Sequence, residues 1–175
     1  MESKKIFTKQ MLMEECGVTK VKDDYFVRDV YKVKSKKRAI IKTKPSLMIQ
    51  TFDKNDGSKG IHYIGLIVSL YNYKTKKYVS MSFAKLRMIW ELGEVPMGQV
   101  IDHIDTNPLN NRLWNLRLLT EEENQKNRKV WKQFTLDEIK DKTVDELRQM
   151  ISDRIFEELH KEIYENSKKQ EQNIV

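Results

Sequence analysis

Residues 102–127, DHIDTNPLNNRLWNLRLLTEEENQKN, constrain the fold more than any other part of this 175-residue chain. From Val100 to Asp105 apolar and polar side chains alternate, as they do along a half-buried strand. Ile101 and His103 then share one face and Asp102 takes the other, unless a bulge re-aims them. Thr106–Asn111 is built of turn residues, and Asn115–Leu119 returns as a second strand. Thr120 followed by Glu123 has the pattern of a capping box, which starts a helix and puts Asn124 in its first turn. Strand, loop, strand and helix thus bring a carboxylate, an imidazole and an amide together. The helix start is also a favourable place for an anionic phosphate.

A general base beside an oxygen-rich site for a hard cation is what phosphodiester hydrolysis requires. In the spacing from His103 to Asn115 and on to Asn124, with Asn115-Leu116-Arg117 opening the second strand, the stretch resembles the HNH endonucleases. It is closest in kind to the zinc-free enzymes of phage and mobile elements. The resemblance implies an α+β fold: a ββα-metal core, preceded by a small antiparallel β-hairpin region and followed by a C-terminal amphipathic helix. It implies a metal-dependent DNA endonuclease that uses one Mg²⁺ (or Mn²⁺) held by Asp102 and Asn124, with His103 as general base. By the same resemblance Asn115 pins the loop to the strand and fixes the His103 ring, and Asn127 orients the site or a phosphate. Oxygen donors suit such cations better than zinc, and an imidazole titrating near neutrality can take a proton from water. The alternative is a non-catalytic DNA-binding or assembly protein that keeps the HNH fold.

Ahead of this stretch, Tyr63–Tyr71 and Tyr78–Phe83 read as a hairpin joined by the polar Asn72–Lys77, and Ala84–Leu92 as a helix stopped by Gly93. HNH relatives often carry a histidine at the step into this helix. Here Lys85 stands there, either meeting a phosphate or lying on a solvated surface. Tyr71, Tyr73 and Tyr78 flank a lysine-rich turn, where a cross-strand aromatic pair is the commoner explanation than a DNA contact. Trp114 either covers the small core or touches the minor groove.

Charge divides the chain. Residues 1–90 hold 20 Lys and Arg against 8 Asp and Glu, whereas residues 91–175 hold 13 against 18. The excess in the first half points to an anionic partner, here double-stranded DNA, with Lys32, Lys34, Lys36, Lys37 and Arg38 the densest run. Three regions follow: a basic 1–60 for DNA contact, a nuclease domain over 61–134, and an acidic helical extension over 135–175.

In that extension Val144, Leu147, Ile151, Ile155, Leu159 and Ile163 recur at helical spacing, so one apolar stripe needs a cover. Docking on the same chain is one solution and a homodimer through this helix is the other. Beyond Asn166 the tail is expected to fray. Cys16 is the single cysteine, which excludes a disulfide framework and a thiolate zinc site. No apolar run approaches a membrane span, and the polar start is unlike a secretory signal, so an intracellular, cytoplasmic protein is expected, phage-encoded within a bacterial host.

Overall fold

Short local signals fix the first elements of the computed structural model, which describes residues 6–22, 25–32, 37–127 and 133–172. Thr8 Oγ1 accepts from the Met11 N–H and opens helix α1 (Lys9–Glu14). The chain turns at Gly17 (φ +63°) into strand β1 (Val18–Lys22). With β2 (Tyr25–Lys32) and β3 (Lys37–Lys42) this forms a sheet in the order β1–β2–β3, antiparallel at both junctions. A second sheet has the order β4–β5–β6, built from β4 (Ser46–Asp53), β5 (Lys59–Asn72) and β6 (Lys77–Ser82).

Strand β5 begins four residues earlier than the expected hairpin strand, because Lys59-Gly60 reads as turn chemistry in isolation. Gly60 is there for contact. A Cβ at this position would lie 2.4 Å from the Phe52 ring, so only glycine lets strand and ring meet. At the other end of β5, Tyr71 pairs with Tyr78 across the strands and their rings meet edge-on at 5.2 Å. The aromatic residues at this turn are therefore a cross-strand pair.

Ser82 caps helix α2 (Phe83–Leu92) by accepting from the Lys85 N–H, and Gly93, at φ +92°, ends it. Its buried face carries Phe83, Ala84, Leu86, Met88 and Ile89. The Phe26 ring sits edge-on to Phe83 and Trp90, and full burial of each such side chain stabilises the fold by roughly 1.5–3 kcal/mol. Next come β7 (Gln99–His103), a loop closing in a single 3₁₀ turn (Leu113–Asn115), β8 (Leu116–Thr120) and α3 (Glu121–Gln125). The chain ends in α4 (Leu136–Ile139) and the long α5 (Val144–Gln172). The architecture is α+β, with antiparallel pairing in its sheets and a C-terminal helix, as expected.

Two compact units are distinguished: residues 1–48 with 65–127, and residues 49–64 with 128–175. The first buries Leu12, Cys16, Val18, Phe26, Leu70, Leu86 and Ile89. In the second, Ile61, Ile64, Phe134, Ile139, Leu147 and Ile151 are buried. Both helices there start on capping boxes, Thr135 with Glu138 and Thr143 with Glu146.

Only half of the apolar stripe on α5 is covered. Leu147 and Ile151 are inaccessible to solvent, whereas Leu159 is 50% and Ile163 63% exposed. The expectation that the whole stripe buries itself is corrected on this point: its last turns keep the spacing but lie open. The tail also differs, since α5 continues to Gln172, six residues past Asn166. Among the described residues no helix is long and apolar enough to cross a membrane.

Candidate active site

The β7–β8 hairpin carries the expected residues in an unbroken antiparallel register, with Asp102 opposite Arg117 and His103 opposite Leu116. No bulge interrupts it, so pleat alternation alone decides where the side chains go. Ile101, Leu116 and Leu118 join Ala84 and Met88 of α2 in one apolar cluster, with Leu113 and Val95 at its edge. Helix α3 packs on both strands. Asp102, on the alternate face, is buried, and its Oδ2 accepts from Arg117 Nε at 2.8 Å. The pair follows from the register, because cross-strand neighbours on one face lie within reach of a long side chain.

The loop after His103 is organised by one carboxylate. Strand β7 ends at His103, two residues short of the expected Asp105, because Asp105 turns inward. Asp105 accepts from the Asn107 N–H (2.8 Å), Asn110 Nδ2 (2.6 Å) and Asn115 Nδ2 (2.8 Å). In return its own N–H donates to Asn115 Oδ1 at 3.0 Å. Asn115 is fully buried, and its Nδ2 also donates to the Asn110 carbonyl at 2.8 Å. Its backbone carbonyl receives the Ile104 N–H at 2.8 Å. Asn107, likewise fully buried, accepts from the Leu109 N–H. Loop backbone that leaves a strand must find such partners when buried, and here side chains supply them. The crossing is tight enough to hold Thr106 at φ +60°, a conformation β-branched residues avoid.

His103 Nε2 lies 3.2 Å from Asn111 Oδ1, and Asn111 is itself buried. With the amide oxygen facing it, Nε2 carries the proton and donates, which leaves Nδ1 with its lone pair. Burial holds the imidazole below the ordinary histidine pKa. The Asn111 hydrogen bond and the carboxylates of Asp105 and Asp102 push back only in part. The ring is therefore neutral near pH 7, the form that can accept a proton.

Asn124 is half-buried on α3. Asn127, just beyond that helix, is also half-buried and has an Nδ2 that meets no hydrogen-bond partner among the described residues. Lys85 is exposed in the first turn of α2. Lys34 and Lys36 lie outside the described residues. Lys37 and Arg38 pair as backbone within β3, and their side chains lie outside the described set. The helix start expected to favour phosphate carries Glu121, Glu122 and Glu123 in its first turn, with Glu123 closing the capping box on Thr120. These carboxylates disfavour an anion at that spot.

Four residues absent from the sequence expectations shape the site: Asp105, Asn110, Asn111 and Arg117. Arg117 was within reach, since pairing β7 with β8 end to end sets it against Asp102. The other three read only as turn formers, because their partners depend on the path of the loop.

Residues 85–126, which include α2, the hairpin, the loop and α3, match the model of a family described as HNH endonuclease, so the chain carries an HNH endonuclease segment. Over 49 residues it is 51% identical to Protein 3.8 of Escherichia phage T7. That similarity covers 27% of this chain and 40% of the phage protein, so the chain spans well under half of its relative's length. No solved structure matches the chain significantly.

Proposed function

We propose that the protein is a metal-dependent DNA endonuclease in which His103 is the general base and Asp102 and Asn124 hold one Mg²⁺ or Mn²⁺. The observation that carries this reading is a buried, neutral His103, fastened through Nε2, next in chain to a buried carboxylate in a segment that matches HNH endonucleases. Hairpin and α3 then serve as the ββα-metal core.

The donor set fits a hard cation. Arg117 engages Asp102 through Oδ2, and no hydrogen bond reaches Oδ1 among the described residues. Asn124 adds an amide oxygen. Among the described residues no three His, Cys, Asp or Glu side chains gather as metal ligands, so the remaining positions fall to water and phosphate oxygens, which Mg²⁺ accepts. Bound there, the cation supplies stabilisation of the charge that develops on the phosphate and leaving oxygen.

The chain's own residues do the rest. His103 Nδ1 takes the proton of the attacking water, and Asn111 keeps the ring in the tautomer that exposes Nδ1. Asp105 and Asn115 hold the loop so that the ring does not swing away. Asn127, Lys85 and the run Lys34, Lys36, Lys37 and Arg38 are assigned to phosphate contact. Residues 1–60 are assigned to DNA contact, 61–134 to the nuclease domain and 135–175 to an acidic helical extension.

A supercoiled plasmid incubated with purified protein, with and without Mg²⁺, tests the reading. Wild type is expected to cut only with the cation. His103→Ala is expected to lose about 10²–10⁴-fold in rate while duplex binding persists. Near-normal cleavage by that variant removes His103 from the base role.

A further inference from the structure

We infer that Trp114, with Ile104 and Arg112, forms a fixed contact for the DNA strand seated at His103, resting on the nuclease reading above for the identity of the ligand. Trp114 is the middle residue of the 3₁₀ turn that closes the loop, and it is 67% exposed. Its two neighbours are tied inward. Leu113 packs at the edge of the cluster beneath the hairpin, and Asn115 is fully buried in the bonds to Asp105 and Asn110. The turn is closed by the Asn115 N–H donating to the Arg112 carbonyl and the Leu116 N–H to that of Leu113. An indole between two such anchors cannot retreat into the core, and the structure keeps it in water.

It is not alone. Ile104, next in chain to His103, is 49% exposed, and its N–H bonds the carbonyl of Asn115, the residue after Trp114. Two large apolar side chains thus stand open on backbone segments joined by a hydrogen bond, one of them next in chain to His103. Exposed apolar groups held in place mark a binding surface more often than scattered ones do.

The charge nearby decides the class of partner. Arg112 is exposed two residues before the indole, and Arg117, whose Nε is engaged with Asp102, is exposed three residues after it. Guanidinium groups beside an indole suit a nucleic-acid strand, whose sugars and bases offer apolar faces and whose phosphates take the cations. Trp114 therefore packs on a deoxyribose or base edge while Arg112 meets the adjoining phosphate, which registers the strand against His103 without taking part in chemistry.

The test uses the full chain and a labelled duplex, with EDTA present so that no cutting occurs. Fluorescence anisotropy gives Kd for wild type, Trp114→Phe, Trp114→Ala and Arg112→Gln at two salt concentrations. Burying the indole against a sugar or base edge removes apolar area from water, so Trp114→Ala is expected to weaken binding about tenfold and Trp114→Phe about twofold. Trp114→Ala is expected to lose little of its affinity change when salt is raised, whereas Arg112→Gln flattens the salt slope. Intrinsic fluorescence should be quenched by DNA in wild type and much less in Trp114→Phe. Because the side chain is exposed, the melting temperature of each variant should match wild type. Trp114→Ala binding within twofold of wild type overturns the inference, as does a wild type that binds no duplex at low salt. Wild type that binds but does not cut, with Trp114→Ala weakened, sustains this contact and defeats only the nuclease reading.

Discussion

The loop at residues 104–115 and the helix α5 solve opposite problems. The loop buries the amides of Asn107, Asn111 and Asn115 beside Leu109, because their polar atoms find partners inside the turn. Helix α5 has a regular apolar stripe, yet only its first turns are covered. Burial here follows from where partners lie, and periodicity by itself does not secure it. A polar loop with internal partners can be more rigid than an amphipathic helix that runs past its support.

The largest break in that comparison should come from Asn115→Ala. It leaves the Asp105 N–H and the Asn110 carbonyl without their partners in a buried loop, at roughly 1–3 kcal/mol for each orphaned group. A loss of about 3–5 kcal/mol by urea denaturation is expected, together with loss of cleavage. A change below about 1 kcal/mol would show that the loop holds its shape without this hub.

Ile151→Ala is next. Truncating a fully buried aliphatic side chain costs about 2–4 kcal/mol, and the effect should fall on unfolding of the helical unit. DNA cleavage at 25 °C should stay near wild type. If activity falls in step with stability, the two regions are coupled more tightly than their separate cores imply.

A smaller effect sharpens the picture of the loop. In metal-free protein His103 has a folded-state pKa below its unfolded value of about 6.5. As pH falls through that value the unfolded chain takes up a proton before the folded one does. Stability is therefore greater above about pH 6.5 and declines between there and the lower folded pKa. His103→Gln should flatten this part of the stability curve. An identical slope in both proteins would place the titration elsewhere.

The smallest effect belongs to the open end of α5. Ile163→Ser should change stability by less than about 0.5 kcal/mol, and light scattering of wild type at micromolar concentration should give the mass of one chain. A two-chain mass that Ile163→Ser reduces would reinstate the homodimer.

The sequence announces its secondary structure through local devices. Thr120 caps α3 and Gly93 ends α2 as expected, and Thr8, Ser82, Thr135 and Thr143 open the other helices by the same device. These signals span three or four residues, so no tertiary knowledge is needed to read them. The α5 stripe is legible as a helix but not as half-covered, since cover comes from elements distant in sequence. At the site, the Asp102-His103 pair is visible as chemistry. Its setting is not: Asn111 against the imidazole and Asp105 at the centre of the loop are tertiary facts, and four near-identical Asx side chains within seven residues offer no way to tell hub from rim.

Cys16 has a practical consequence. It is sealed in the first unit, and burial, aided by the nearby Glu15 carboxylate, pushes its thiol up to about 11. At the pH of ordinary maleimide coupling it is protonated and out of reach. A cysteine placed on the surface, at Ile163 or at Leu92, is then the sole nucleophilic thiol in the chain and accepts a dye or spin label with no prior Cys16 replacement. Site-specific labelling on the native background, with DNA present or absent, becomes a matter of single substitutions.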